Sequence, residues 1–193
     1  MQGKKSVLVP VADGAEEIET VSIVDILRRA EVEVIMASAH PKSTKQPIIQ
    51  GSRGMGLVCD SYLEDVIERD YDMIALPGGA KNAEILAKTK ILIDKLKKQK
   101  ALDKWYCAIC ASPAVVFLPN GLLDGEVGTC HPSFTHHFKN LDRMEERVVV
   151  SNKCITSRGP GTAIEFALVL AEKLTTPEKA AQIAKALVAH IPK

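Results

Sequence analysis

Strand-length apolar runs alternate with helix-length amphipathic patterns along nearly all of this 193-residue chain, and few architectures accommodate that order. Residues 6–11, 32–37, 72–76 and 105–110 read as buried strands. Residues 16–29 read as a helix with Ile18, Val21, Val24 and Leu27 on one apolar stripe. Residues 83–100 read as a longer amphipathic helix with a basic face, and residues 161–174 and 177–189 as two closing helices. The stretch 38–56 is polar and rich in Gly, Ser, Lys and Pro, which predicts loop or short edge strands. A short strand at 57–59 and a small helix near 63–67 come next. Residues 126–129 read as a further strand, and 147–150 with 154–156 as a hairpin. This alternation predicts an α/β fold with a mostly parallel sheet and helices on both faces. Ligands of such sheets sit beyond the C-terminal ends of the strands. Val11-Ala-Asp-Gly14, Pro77-Gly78-Gly79, Cys110 and Cys130-His131 all fall at such ends, so four turns are expected to converge on one site.

The length suits a single domain over residues 1–193, because no Pro/Gly/Ser-rich linker divides it. At 46% hydrophobic it can bury a large core. With 25 basic and 24 acidic residues the net charge is +1, which offers no electrostatic footprint for nucleic acid or an anionic membrane. No apolar stretch is long enough to span a bilayer, and Met1-Gln-Gly-Lys-Lys5 lacks the apolar region of a secretory leader. Five cysteines form an odd set without small-scaffold spacing, which predicts reduced thiols and a cytoplasmic protein.

Cys110 stands out among them. It ends the apolar run Trp105-Tyr106-Cys107-Ala108-Ile109 and opens the helix-like run Ala111-Ser112-Pro113-Ala114-Val115-Val116. A nucleophile elbow needs this layout: the turn residue is strained, and bulky neighbours would clash. Free N–H groups at the start of the following helix would favour a thiolate, the reactive form. Cys107 and Cys110 have CxxC spacing, but both lie on the strand side and point to opposite faces, so a disulfide between them would be badly strained. Cys110, Cys130 and His131 are thiolate and imidazole groups that suit zinc or copper. No second closely spaced pair completes a tetrahedral set, His136 and His137 being adjacent, so no dedicated metal site is expected. The run 95–100, rich in lysine, reads as the solvated end of a helix.

Five segments in order resemble the ThiJ/PfpI (DJ-one) superfamily: 9–20, Leu76-Pro-Gly-Gly79, Ala108-Ile-Cys110-Ala-Ser-Pro113, Thr129-Cys-His131-Pro132 and Thr156-Ser-Arg-Gly-Pro-Gly-Thr162. The match is closest to the parkinsonism-associated deglycase branch and runs over essentially the whole chain. The resemblance implies a flavodoxin-like three-layer sandwich and a homodimer. It implies that Cys110 is the reactive, oxidisable cysteine, that Glu19 is the carboxyl bonded to its sulfur, and that His131 lies near the site. It gives Gly79 and Ala111 as oxyanion donors, with Gly78 and Ser112 in the same pocket. Arg53 and Arg29 match arginines close to the site and the dimer seam, and Gly159 and Pro160 support the pocket from behind. Ser112 stands where many relatives have Gly, which would tighten the elbow. Val58 occupies the register of a family cysteine of the dimer interface, with Cys59 one position on.

Read as residues alone, Glu16 and Glu17 suit the solvated first turn of a helix, where acids favour the dipole. Glu19, close to the apolar stripe, suits a dry pocket in which a carboxyl near a thiol would have a raised pKa. No Asp or Glu presents itself as a third member beside His131. The resemblance implies a cofactor-independent glyoxalase or protein deglycase acting on dicarbonyls such as methylglyoxal or their protein adducts, with a role in oxidative stress. The alternative is a redox sensor or chaperone whose Cys110 is oxidised to the sulfinic acid. An amidase or cysteine peptidase is disfavoured, because the peptidase-like relatives carry His directly after the cysteine and Ala111 stands there.

Overall fold

Val7, Leu8, Val9 and Val11 have no solvent exposure, so the first strand must lie inside a sheet covered on both faces. The computed structural model describes residues 4–42 and 46–189. Residues 1–3 of the N-terminal segment, and 43–45 of the predicted loop, lie outside that range. Strand β1 (Ser6–Val11) is flanked by β2 (Glu33–Ser38) and β6 (Met73–Leu76), both parallel to it. The seven-stranded sheet has the order β5-β2-β1-β6-β7-β9-β8, with β5 (Ser61–Tyr62), β7 (Trp105–Ile109), β8 (Val148–Ser151) and β9 (Cys154–Ser157). All pairings are parallel except the β8–β9 hairpin. A separate antiparallel ribbon, β3 (Ile48–Gln50) with β4 (Gly56–Val58), forms within and just after the predicted polar stretch.

Two groups of helices cover the sheet, giving the flavodoxin-like three-layer sandwich. Helices α1 (Glu17–Arg29), α5 (Ala163–Leu174) and α6 (Pro177–Ala186) pack together. Helices α3 (Ala80–Lys88) and α4 (Lys90–Ala101) form the other group, and a short α2 (Leu63–Val66) comes after β5. Strand order reverses at β1, where β2 lies to one side and β6 to the other; crevices open at such switch points.

Four local expectations need correction. The stripe on α1 holds in its second half, where Leu27 is buried and Val24 packs on the core, but not in its first: Ile18 is 57% and Val21 49% exposed, whereas Glu17, Glu19, Thr20 and Ile23 face inward. The single helix predicted over 83–100 is two, broken at Thr89, whose ψ of 90° is extended rather than helical. Thr89 ends the first helix by donating its hydroxyl to the Ile85 carbonyl, and its own carbonyl accepts from Leu92 and Ile93. The lysine run is not wholly solvated. Lys95 is buried and donates to the Arg69 carbonyl, and Lys100 Nζ donates to the carbonyls of Gly121, Leu122 and Asp124.

The fourth correction is that residues 126–129 form no strand. Both edges of β9 are already taken by β7 and β8, so no ladder position beside it is open. Instead the Thr129 N–H donates to Thr156 Oγ1 at 2.9 Å, and the Thr129 hydroxyl donates to the Met144 carbonyl at 2.6 Å. A side chain of β9 therefore does what a backbone ladder would have done. Thr156→Val keeps a good strand former but strands a buried amide; we expect a loss of about 1–3 kcal/mol in urea unfolding. An unchanged or higher stability would return 126–129 to the sheet.

Candidate active site

The C-terminal ends of β1, β6 and β7 lead into turns around one cavity of about 840 Å³. Its lining draws on all four predicted turns, with Asp13 and Gly14, Gly79, Cys110, and His131. The 51–54 turn of the β3–β4 ribbon adds a wall that includes Arg53. Pro160 lines it too, while Gly159 stands behind His131, close enough that a Cβ would meet the imidazole Cδ2 at 3.2 Å.

Cys110 comes directly after β7 with φ of +66°, in the left-handed region that a residue with a Cβ rarely adopts. The strained elbow read from sequence is present. Two backbone bonds hold it: its N–H donates to the Ser157 carbonyl at 3.0 Å, and its carbonyl accepts from His131 N–H at 2.9 Å. Ser112 is fully buried and donates its hydroxyl to the Pro77 carbonyl at 2.7 Å, which ties the elbow to the end of β6. Beyond the elbow the chain winds into a wide π-type turn at Pro113–Phe117 and a 3-10 turn at Leu118–Asn120, not a regular helix.

Glu19 comes from the inner face of α1 and has no solvent exposure. Its Oε2 accepts the Gly78 N–H at 2.7 Å, and Oε1 has no nitrogen or oxygen partner among the described residues. The group it meets is the Cys110 thiol. Gly78 must be glycine here, since a Cβ would run into Cys110 Cβ and Glu19 Oε2. Gly79, with φ of +90°, begins α3, and its N–H faces the Cys110 sulfur together with that of Ala111.

Burial pushes the Glu19 carboxyl up to about 8, so it is largely protonated at neutral pH. Burial also pushes the Cys110 thiol up to about 12, with the adjoining Glu19 charge as the second cause; the N–H groups of Gly79 and Ala111 pull the other way. The expectation of a lowered thiol is therefore not met. Cys110 is only 8% exposed, and the short turn after it is no long helix dipole. Two acids in contact titrate as a pair, so the first proton leaves the pair rather than one residue.

His131 lines the cavity but is joined to Cys110 through the backbone. Its Nδ1 accepts from Ser133 N–H at 3.2 Å, so the neutral ring carries its proton on Nε2. No carboxylate bonds its ring among the described residues, and no triad forms. Arg53 borders the cavity, and its N–H donates to Glu17. Within one protomer Arg29 does not line the cavity: it lies ten residues along α1 from Glu19, roughly 15 Å, and pairs with Asp25. Val58 is exposed and Cys59 buried, so neither the register residue nor its neighbour repeats the family cysteine. All five cysteines are free, and no cluster of three or more His, Cys, Asp or Glu occurs among the described residues.

Two site residues escaped the sequence reading. Glu17 is buried, not solvated; it accepts from Ser52 Oγ at 2.8 Å and Arg53 N–H at 2.6 Å. Burial raises its pKa, but these donors outweigh that and leave it below the ordinary value. Asn82 is fully buried, accepts the Ala12 N–H at 2.7 Å and donates to the carbonyls of Pro77 and Gly78, both at 3.0 Å. Its place in the first turn after Pro-Gly-Gly was the available signal, since Asn there commonly bonds backbone.

Glu19 carries a testable pH signature. Its carboxyl titrates near 8 when folded against 4.5 ordinarily. Between those values the unfolded chain has lost a proton that the folded chain keeps, so this contribution to stability falls as pH rises from 4.5 to 8 and then levels. Glu19→Gln should remove that slope, so wild type loses about 4 kcal/mol relative to the variant across the window. A stability difference that stays constant with pH would refute a buried neutral carboxyl.

A model of the DJ-1/PfpI family matches residues 5–173. Protein DJ-1 homolog B of Arabidopsis thaliana is 43% identical over 185 residues, covering 96% of this chain and 41% of the relative. The chain thus spans less than half the length of that relative and of its homolog A. The glutathione-independent glyoxalase DJR-1.2 of Caenorhabditis elegans is 37% identical over 191 residues, covering 97% of this chain and 98% of the relative. The solved structure titled Toxoplasma gondii DJ-1, oxidized, superposes with a TM-score of 0.91 at 46% identity, covering 97% of this chain and all of that one. Since the family model matches most of the chain, the chain belongs to the DJ-1/PfpI family.

Proposed function

We propose that the chain is a cysteine-dependent, cofactor-independent glyoxalase and protein deglycase. It acts on reactive dicarbonyls such as methylglyoxal, or on their adducts with protein side chains, in the response to oxidative stress. One observation carries this reading: the Cys110 thiol, held at a strained elbow, meets a buried carboxyl that titrates near neutrality. A group with a pKa close to working pH is suited to both giving and taking protons. The name of the Caenorhabditis elegans relative supports it.

In this mechanism the sulfur adds to the aldehyde carbon of methylglyoxal, and the thiol proton passes to the carbonyl oxygen to give a hemithioacetal. The Gly79 and Ala111 N–H groups stabilise the oxyanion that forms on the way. Glu19 or His131 takes the proton from the thiol-bearing carbon and a proton returns to its neighbour, giving a lactoyl thioester. Water cleaves the thioester, releasing lactate and restoring the thiol. One carbon is oxidised as the next is reduced, so the electrons balance within the substrate.

A second reading is favoured by the same carboxyl. In a redox sensor or chaperone, two equivalents of peroxide would convert Cys110 to the sulfinic acid, and protonated Glu19 would donate to a sulfinate oxygen. The homodimer belongs to the proposal as well. Ile18 and Val21 on α1 and Ile48, Met55 and Val58 on the adjoining ribbon are large, apolar and about half exposed or more, as an interface requires.

Cys110→Ser should abolish lactate formation from methylglyoxal; retained turnover would sink the enzymatic reading. Peroxide titration followed by peptide mass spectrometry separates the second reading, which needs two oxygens gained at Cys110 ahead of the other four thiols. A Val21→Asp variant should elute as a monomer at micromolar concentration while wild type elutes as a dimer. A monomeric wild type would remove the homodimer.

A further inference from the structure

A second cavity, of about 330 Å³, lies between the 118–128 segment and residues 137–140. It shares no lining residue with the Cys110 cavity. Its size falls at the lower end of the range for small-ligand sites, about 300–1,000 Å³. Leu118, Leu123, Val127 and Phe138 give it apolar walls, and Asp124, Glu126 and Lys139 bring charges of both signs.

Those charges do not satisfy one another. Glu126 is fixed by the β8–β9 turn, its Oε2 accepting from Ser151 Oγ at 2.6 Å and Asn152 Nδ2 at 3.0 Å. Its Oε1 has no donor among the described residues, and Lys139 makes no ion pair among them. Each simpler ligand leaves a mismatch. A neutral apolar molecule would cover the carboxylates without pairing them. A plain cation would face Lys139, and a plain anion would face Asp124 and Glu126.

We propose that this cavity binds a zwitterionic α-amino acid with an apolar side chain. Its ammonium group pairs with Glu126 and Asp124, its carboxylate with Lys139, and its side chain packs on Leu123, Val127 and Phe138. Burying a ligand charge is favourable here because the fixed Glu126 oxygen supplies a hydrogen-bonded partner. The occupant would also lie one ring away from the wall of the catalytic cavity. His137 lines the second cavity and stacks on Phe134 at 6.2 Å, and Phe134 lines the Cys110 cavity and meets the His131 ring edge-on at 6.4 Å.

Calorimetric titration tests this on the full chain carrying Cys110→Ser, which removes catalytic-site thiol chemistry. The probes are L-leucine and L-phenylalanine, with N-acetyl-L-leucine and L-leucinamide as single-charge controls. We expect saturable one-site binding with Kd of about 1 mM or tighter. Each control should bind about tenfold more weakly, as should L-leucine to Glu126→Gln or Lys139→Ala. Lys139 is exposed, so its variant keeps the test independent of folding. Absence of saturation, equal binding of the controls, or affinity indifferent to both substitutions would overturn the proposal.

Discussion

The bond from the Gly78 N–H to Glu19 Oε2, 2.7 Å long and shut away from water, holds the site together. A buried carboxylate is costly unless paired, and one amide donor does not pair a full charge. Retaining the proton resolves the conflict, which is why the carboxyl titrates near 8. The consequence is geometric as well as electrical. Glu19 belongs to α1, Gly78 to the turn after β6 and Cys110 to the turn after β7, so one carboxyl fixes three segments remote in sequence. Asn82 adds the end of β1 and Ser112 locks the elbow, each through carbonyls of the same Pro77-Gly78 turn. The backbone of that turn is the common anchor, and both glycines are explained by what stands where their Cβ atoms would be.

The pairing also decides how the thiol can react. In isolation a sulfur under two amide N–H groups would be expected to ionise easily. Here burial and the neighbouring acid oppose those donors and win, leaving the resting thiol protonated. A protonated Glu19 can donate to sulfur, whereas an ionised one accepts the S–H of the thiol and repels a thiolate. Reactivity is therefore set by where one shared proton sits, and not by a permanently exposed thiolate.

How legible this was depended on which force positioned each residue. Strands β1, β2, β6 and β7 and the β8–β9 hairpin were plain in sequence, because buried apolar runs ended by turn residues have few other uses. Cys110, Gly78 and Gly79 were legible for a related reason: local backbone geometry demands those residue types. The polar, long-range contacts were the ones that escaped. The side-chain acceptor on Thr156 that replaces a strand at 126–129, the inward Glu17 and the bond of Asn82 to Ala12 depend on partners 27 to 70 residues away. No local pattern encodes such partners. Arg29 is a different case: its matched place is at the site and the dimer seam together, and within one protomer α1 sets it roughly 15 Å from Glu19.

The inverted polarity of α1 ties these observations into one constraint. Its first two turns send Glu17 and Glu19 inward, each to backbone amides of a different loop, Glu17 to the 53–55 turn and Glu19 to Gly78. At 100° per residue, a helix that turns residues 17, 19 and 20 toward the protein sets 18 on the opposite side and 21 on the flank beside it. Ile18 and Val21 are accordingly outside, beside the exposed Met55 and Val58 of the ribbon that Glu17 holds. An apolar outer face is thus the geometric complement of a carboxyl-bearing inner one. Making Ile18 and Val21 core residues would rotate both acids off the loops they anchor. The surface proposed for a second copy and the carboxyl beside Cys110 are two sides of the same helical turns, which gives one short segment a reason to carry both.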